Sequence, residues 1–319
     1  MIRKLFALAL LIATQAYAQQ PWPSRTMTFF TPFAPGPGPD IYLRPLLTKV
    51  GEQLGQTIVH DVRIGGAGTI AIVQAARSAP DGYTFTLITN AHVIQRHLMR
   101  DAIPDVVGMA HISRISLTGA TLVVSSNSPV RTFEDLVAWA KTAPGKLNYG
   151  SGGNGTPSHI QGASLAAIAG IDAVHVPFKN SADVIPSLMR GDLQFSFQVM
   201  AFGGPFVRSG KLRLLATTGQ ERAVQFPDAP TLYELTRNDL AVQENWSGLS
   251  FPANTPAAIV RRFHAEVVKA LAEPVVQKGI ETSGTNARPS ASPEEFAGYV
   301  RSEDDKWGRM VKLSGVKLE

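Results

Sequence analysis

Strand-type and helix-type segments alternate along this chain, in two successive sets. In the first, Thr26–Phe30 reads as a strand and Ile41–Leu54 as a helix. Leu43, Leu46, Leu47, Val50 and Leu54 fall on one face of that helix at helical spacing, and Gly55 stands where a C-cap glycine belongs. Ile58–Val62 follows as a strand, Ile70–Arg77 as a helix, and Tyr83–Thr89 as a strand after the turn Pro80-Asp81-Gly82. Thr121–Ser125 is a further apolar strand. The second set runs strand Leu147–Gly150, helix Ser158–Ala169, strand Ala173–Val176, helix Ala182–Arg190, then strands Gln194–Phe197 and Leu212–Thr217. Helices Ala257–Leu271 and Pro293–Lys312 close the chain. This alternation predicts two α/β domains, each a mostly parallel sheet flanked by helices. The C-terminal helices have no strands of their own within reach and are expected to pack back on the first domain. The first domain is then discontinuous, residues 19–124 plus 246–319, and the second is residues 125–245. Two crossovers join them, near Val123–Ser128 and Glu244–Phe251.

Residues 1–18 stand outside this pattern. Arg3 and Lys4 precede the short apolar stretch Leu5–Ala13, and Ala16-Tyr17-Ala18 is an A-x-A cleavage site, which together read as a secretory signal peptide cut after Ala18. No later apolar run reaches the ~18 residues of a transmembrane helix, so the expected location is the periplasm. That compartment has no ready supply of ATP or nicotinamide cofactor, which counts against many enzyme classes, and no cofactor is expected. The chain has no cysteine, which excludes disulfides, thiolate zinc sites, iron–sulfur clusters and a cysteine nucleophile. Its 30 basic and 25 acidic residues are scattered, with no basic run of the kind that marks a nucleic-acid surface.

Two strand-to-helix junctions are rich in glycine: Phe33-Ala34-Pro35-Gly36-Pro37-Gly38-Pro39-Asp40 and Gly150-Ser151-Gly152-Gly153-Asn154-Gly155-Thr156-Pro157-Ser158-His159. Glycine lets the backbone approach a ligand closely. A helix start offers unpaired N–H groups and the positive end of the dipole, an anion site that needs no cationic side chain. One such loop in each domain would give two anion-binding lips across a cleft; the alternative is two ordinary tight turns. Gly150, Gly152 and Gly155 also satisfy the dinucleotide pattern G-x-G-x-x-G, but Asp172 precedes the next strand instead of ending it, and the export signal places the chain away from the cofactor. No nucleophile elbow, Walker A loop or H-E-x-x-H motif is present, so no catalytic residue is assigned. The histidines lack ligand spacing with carboxylates, so no metal is expected. His159 falls in the first turn of a helix, where it bonds either the loop or a ligand. Asp40 is expected to cap the helix that begins at Ile41. Trp246, on the return crossover, suits either core packing or a position beside the cleft.

These residues together resemble the solute receptors of tripartite tricarboxylate transporters, the Bug family. The likeness runs through Phe33-Ala34-Pro35-Gly36, Gly65-Gly66-Ala67-Gly68, Ala79-Pro80-Asp81-Gly82-Tyr83-Thr84 and Pro144-Gly145-Lys146-Leu147-Asn148-Tyr149-Gly150-Ser151. It continues through Gly152–His159, His175-Val176-Pro177-Phe178-Lys179, Gly210-Lys211-Leu212-Arg213 and Trp246-Ser247-Gly248-Leu249 to Thr255-Pro256. The resemblance implies a two-domain Venus-flytrap periplasmic binding protein, not an enzyme. It implies a monomer that captures a small organic carboxylate in the cleft and delivers it to integral membrane transporter subunits. The alternative function is a periplasmic enzyme or sensor acting on a small carboxylate. Carried over residue by residue, the carboxylate clamp would be Ala34, Gly36 and Gly38 on one side, and Ser151, Gly152, Gly155, Thr156 and His159 on the other. The chain departs from the family pattern at Pro37 and Pro39, which leave fewer N–H donors in the first loop. It departs again at Phe178, where tyrosine is common, and at Gln198, where an acid is common. Gln198 is expected on the loop after strand Gln194–Phe197, reaching the distal part of the ligand. Its neutral amide suits a mono- or dicarboxylate without a positive charge.

Overall fold

The computed structural model describes residues 22–317 except 34, 37, 38, 66, 67, 100–102, 143, 144, 146 and 180. The expected export signal, residues 1–18, lies outside the described residues. In chain order the first half comprises β1 (Met27–Thr31), α1 (Asp40–Leu54), β2 (Ile58–Val62), α2 (Thr69–Ala76), β3 (Thr84–Thr89) and α3 (Asn90–Leu98). The long β4 (Ala110–Ser125) leads to α4 (Phe133–Thr142), β5 (Asn148–Ser151), α5 (Pro157–Ala169), β6 (Val174–Pro177), α6 (Val184–Arg190), β7 (Phe195–Val199), α7 (Met200–Arg208), β8 (Leu212–Thr217) and α8 (Leu232–Thr236). The chain returns through β9 (Glu244–Phe251), α9 (Ala257–Leu271), α10 (Pro274–Thr282), β10 (Asn286–Ala287) and α11 (Pro293–Ser314). No helix among the described residues is long and apolar enough to cross a membrane.

Local sequence accounts for most of these elements. Along β1, Met27, Phe29 and Thr31 are buried and the residues between them are half-buried, the period of a strand covered more on one face than the other. In α1 the buried Leu43, Leu46, Leu47 and Val50 form one stripe, and Gly55 ends the helix in the left-handed region at φ 68°.

The strands join in the order β2-β1-β3-β9-β4-β7-β5-β6, with β8 and β10 also paired to β4. Both outer ends are parallel: β1 with β2 and β3, and β5 with β6 and β7. The antiparallel pairs all involve β4 or β9, the strands that cross between halves. β4 pairs with β9 as far as Gly119↔Glu244, then with β7 from Ala120↔Val199. The change of partners thus falls a little before the segment Val123–Ser128 suggested by the sequence. Gly119 marks the handover, where a Cβ would stand 3.1 Å from the backbone nitrogen of Gly219.

Each half has its own core. In the first, the rings of Phe29, Phe85, Phe251 and Phe263 pack with centroids 4.9–5.7 Å apart between the sheet and helices α1 and α9. In the second, Tyr149, Phe195, Phe197 and Leu215 are buried with residues of α4 and α5. The C-terminal helices differ in part from expectation. α9 and α10 pack on α1, but α11 packs on α3 and β4 and also on α5 of the second half. Its Trp307 and Met310 share a cluster with Trp246 and with Ile160 of α5. His97 and Arg96 of α3 pair with Asp304 of α11.

At the centre of that cluster is a buried carboxylate. Glu303 Oε2 accepts from Trp246 Nε1 at 2.8 Å and from Trp307 Nε1 at 3.0 Å, and Glu303 is ion-paired with Lys306. Removing the carboxylate strands two buried indole donors and a cation. Glu303→Ala is expected to lower unfolding stability by about 3–5 kcal/mol, the range for breaking a buried pair. Urea denaturation followed by circular dichroism measures it.

Candidate functional site

In each half the chain starts in the middle of the parallel strands and winds to both sides. From β1 it passes to β2 on one side and later to β3 on the other, and from β5 to β6 and then β7. Such a reversal leaves a crevice beyond the C-terminal ends of the strands, where ligands bind in open α/β sheets. Here the two crevices face one another across a cavity of about 320 Å³. The first half supplies Phe33, Pro39, Thr89 and Asn90; the second supplies Pro157, Val199, Ala201 and Phe202. The crossing strands contribute Ser116, Thr118, Asn245, Trp246 and Ser247.

Four of these positions are helix starts. Pro39 is the N-cap of α1, and Asn90, Pro157 and Ala201 lie in the first turns of α3, α5 and α7. α3 is closed by a capping box: the Thr89 side chain accepts from the His92 backbone, and the Thr89 N–H donates to His92 Nδ1 at 3.0 Å. α1, α5 and α7 begin with no side-chain cap. Their first-turn N–H groups and dipole ends favour negative charge in the cavity. No lysine, arginine or histidine is among the described residues that line it.

The first glycine loop is engaged from within. The Gly36 N–H donates to Asp40 Oδ2 at 3.0 Å, and Asp40 also pairs with Arg44 at 3.0 Å. Asp40 is therefore not the helix cap expected of it; it is the first helical residue and reaches back to the loop. Gly36 holds φ 122°, open to glycine alone at little cost. Ala34 and Gly38 lie outside the described residues.

The second loop also closes on itself. Gly155 N–H donates to His159 Nδ1 at 3.1 Å, and Gly152 N–H to Ser158 Oγ at 3.4 Å. Thr156 Oγ1 donates to the Gly153 carbonyl at 2.7 Å, and Ser151 Oγ meets His175 Nε2 at 2.6 Å. His159 thus bonds the loop, the first of the two roles open to it in the sequence. Accepting at Nδ1 puts its proton on Nε2. Its ring stacks on His175 with centroids 3.6 Å apart and planes 9° from parallel. The loop is a rigid frame that presents Pro157 to the cavity.

Neither Phe178 nor Gln198 lines the cavity. Phe178 packs on the second-half cluster of Val184, Leu188 and Leu193, beside Gly150. Gln198 lies within β7 instead of on a loop, which corrects the sequence-based placement. Neighbouring strand residues point to opposite faces. Val199 is the one that meets the cavity, so Gln198 turns away, buried, with its Nε2 donating to Ser196 Oγ at 2.8 Å.

Several cavity residues were not found from the sequence. Asn90 donates through Nδ2 to Asn245 Oδ1 at 3.1 Å. Tyr42, Ser247 and Ser116 form a hydroxyl chain with links of 3.1 and 2.7 Å. The signal for Asn90 was a third strand-to-helix junction, Thr89-Asn90, which carries no glycine. Trp246 fills both roles open to it: it is 2% exposed, held by Glu303, and one of the cavity walls.

Burial lowers the pKa of His92, His111, His159 and His175 from 6.5 to about 4, so all four are neutral at pH 7. Between these values the unfolded chain binds more protons than the folded one. Stability is therefore full above about pH 6.5 and falls progressively as pH drops toward about 4. Melting temperatures across that window check this, and the His159→Gln/His175→Gln double variant should show a shallower decline than the wild type.

The family described as "Tripartite tricarboxylate transporter family receptor" matches residues 43–316. BugT of Bordetella pertussis is 27% identical over 327 residues, spanning 100% of this chain and 99% of BugT. The R. palustris protein Rpa4515, solved with adipate, is 26% identical with a TM-score of 0.79, covering 93% of this chain and 99% of its own. MatC of Rhodopseudomonas palustris, solved with malate, is 25% identical with a TM-score of 0.77, covering 91% of this chain and 100% of its own. The facing crevices and the pattern shared along nearly the whole sequence agree: the chain belongs to the Bug receptors of the tripartite tricarboxylate transporter family, with their two-domain Venus-flytrap fold.

Proposed function

We propose that this protein is a periplasmic receptor that captures a small organic carboxylate between its two domains and hands it to the membrane subunits of a tripartite tricarboxylate-type transporter. The observation that carries this reading is the cavity itself. It is bounded by both crevices and four helix starts, and none of the described residues lining it is cationic. The relatives solved with adipate and malate support the ligand class. The proposed domains are residues 19–124 with 246–319, and residues 125–245, hinged on β4 and β9. In this reading the rigid second loop, with Ser151, Gly152, Gly155, Thr156 and His159, frames the carboxylate site, and Gly36 belongs to the opposite lip.

Magnitudes argue for closure. A helix terminus contributes at most ~2 kcal/mol to a partly buried anion, so the uncapped α1, α5 and α7 together supply at most ~6. Micromolar affinity needs about 8 kcal/mol. The remainder comes from excluding water and burying the ligand's carbon skeleton, which requires the domains to close. Capture without turnover also fits the hydroxyls in the cavity. Tyr42, Ser116 and Ser247 hydrogen-bond to one another, and among the described lining residues there is no histidine or carboxylate to activate them as a base would.

A thermal-shift panel of small organic acids tests the reading. A ligand at about 100 times its Kd adds about 2.7 kcal/mol of stability, which raises the melting temperature by several degrees. Small-angle scattering should then show a smaller radius of gyration, and NMR should recover the acid unchanged. A panel in which no carboxylate stabilises the protein removes the reading.

Export is checked separately. N-terminal sequencing of the periplasmic fraction is expected to begin at Gln19. Retention in the cytoplasm with Met1 in place would be the contrary result.

A further inference from the structure

We infer that Asn154-Gly155 is a self-modifying site: the Gly155 nitrogen attacks the Asn154 side-chain amide, with His159 as the base, and Asn154 becomes aspartate and isoaspartate. The chemistry is independent of the capture reading above; its effect on the ligand rests on that reading.

Asn154-Gly155 is the one asparagine–glycine pair in the chain. A backbone nitrogen one residue beyond an asparagine closes a five-membered ring on its amide carbon, and glycine puts no Cβ in the way. The pair forms the middle of a turn: the Gly153 carbonyl accepts from the Thr156 N–H at 3.4 Å, and Gly155 holds φ 71°. Asn154 is exposed, and the loop's side-chain hydrogen bonds run between Ser151, Gly152, Gly153, Gly155, Thr156, Ser158 and the two histidines, leaving its amide untied.

The attacking atom is the one held in place. The Gly155 N–H donates to His159 Nδ1 at 3.1 Å, within the reach of a general base. A peptide nitrogen attacks poorly until it loses its proton, and here an imidazole lone pair already points at that proton. His175 of β6 stacks on the His159 ring with centroids 3.6 Å apart, and Tyr149 of β5 lies beside it with centroids 6.4 Å apart. These are the titratable groups packed on the imidazole. Burial holds the His175 pKa near 4 and pushes the Tyr149 phenol up, so both are uncharged at pH 7. His159 itself is neutral there, with Nδ1 open to a proton.

In the first step His159 Nδ1 takes the Gly155 proton while the Gly155 nitrogen bonds Asn154 Cγ. The imidazolium then returns the proton to the side-chain –NH2 as the C–N bond breaks, and ammonia leaves a succinimide. Water opens that ring at either carbonyl. One opening gives aspartate; the other gives isoaspartate, in which the main chain runs through the former side-chain carboxyl. No electrons are exchanged, and water is the only co-reactant. Each product carries a carboxylate three residues before Pro157, by the uncapped start of α5. That charge competes with a bound carboxylate for the same helix dipole. Isoaspartate also adds a methylene to the loop that frames the proposed site.

Peptide mapping of the mature protein aged in neutral buffer tests the site, with isoaspartyl methyltransferase labelling to count isoaspartate. Asn154 is expected to convert ahead of the exposed Asn127 and Asn254. Conversion at Asn154 no faster than at those two overturns the site. The pH profile tests the base. Isoaspartate formation at Asn154 should stay level from about pH 7 to about pH 5 and fall as pH nears the His159 pKa of about 4. A rate that drops about tenfold with each pH unit, as attack driven by hydroxide would, overturns the role of His159. His159→Gln should slow conversion about tenfold or more, and an unslowed variant overturns that role as well. Asn154→Asp, a fixed form of one product, should bind adipate and malate about fivefold or more weaker than fresh wild type in isothermal titration. Equal affinity, or binding of neither acid by fresh wild type, overturns the effect on the ligand and leaves the modification standing, while the wider acid panel decides the capture reading.

Discussion

The antiparallel pairing of β4 with β9 is the constraint on which the rest depends. It begins at Ala110↔Phe251, passes two register shifts, and ends at Gly119↔Glu244, where β4 passes to the second half. Ser116, Trp246 and Ser247, which line the cavity between the halves, all lie on this pair. A slip of one residue would turn each of them to the other face. The register is locked by what packs on it. At Gly248 any side chain would meet Phe296 and the Ser113 carbonyl, and His111 Nδ1 bonds Ser250 Oγ at 2.9 Å across the pair. Helix starts from both halves therefore reach one cavity because two strands fix the spacing between them.

The proposed recognition of an anion without a cation rests on how those starts are finished. In α11 the Ser292 side chain accepts from the Glu295 N–H, and in α8 Thr231 accepts from Glu234. α1, α5 and α7 lack such a bond, and all three starts meet the cavity. In the proposed site the glycine loop before α5 is also a frame. Its N–H and hydroxyl groups satisfy one another and stack His159 on His175, so the start of α5 is held in place before anything binds. Preorganisation of that kind lowers the ordering cost of binding. The neutral state of the two histidines belongs to the same design, because two imidazolium rings 3.6 Å apart would repel.

Much of the fold was legible in the sequence. The segments Ile58–Val62, Leu212–Thr217 and Ala257–Leu271 coincide with β2, β8 and α9. What escaped has physical reasons. α3 follows β3 with no intervening turn, since Thr89 is both the last strand residue and the helix cap. α7 contains Gly203, Gly204 and Pro205, which weaken a helix pattern, and no helix was expected there. Gly203 is required because a side chain would run into Thr121, a contact visible only in three dimensions. The first part of β4 carries His111, Ser113, Arg114, Ser116 and Thr118, too polar to read as a strand until its partner β9 is known. Glycine marked both loops at the site. Within those loops Phe33, Pro39 and Pro157 line the cavity, and Val199 reaches it from the end of β7, where the sequence carries no glycine signal.

The C-terminal helix sets the terms on which the proposed hinge can work. α11 bears on α3 in the first half and on α5 in the second, so the halves touch on two sides, at the cavity and at this helix. The helix contact is a dense apolar cluster of Ile160, Phe296, Trp307 and Met310 with Trp246. Packed clusters of this kind do not stretch continuously; they hold or they slide between discrete fits. An opening motion that keeps the cluster intact must rotate about it, and then the cavity side moves most. Trp246 lies at that pivot, tied to α11 through Glu303 while forming a wall of the cavity. In the proposed closure the wall would stay fixed, and the starts of α5 and α7, carried by the second half, would be the parts that arrive.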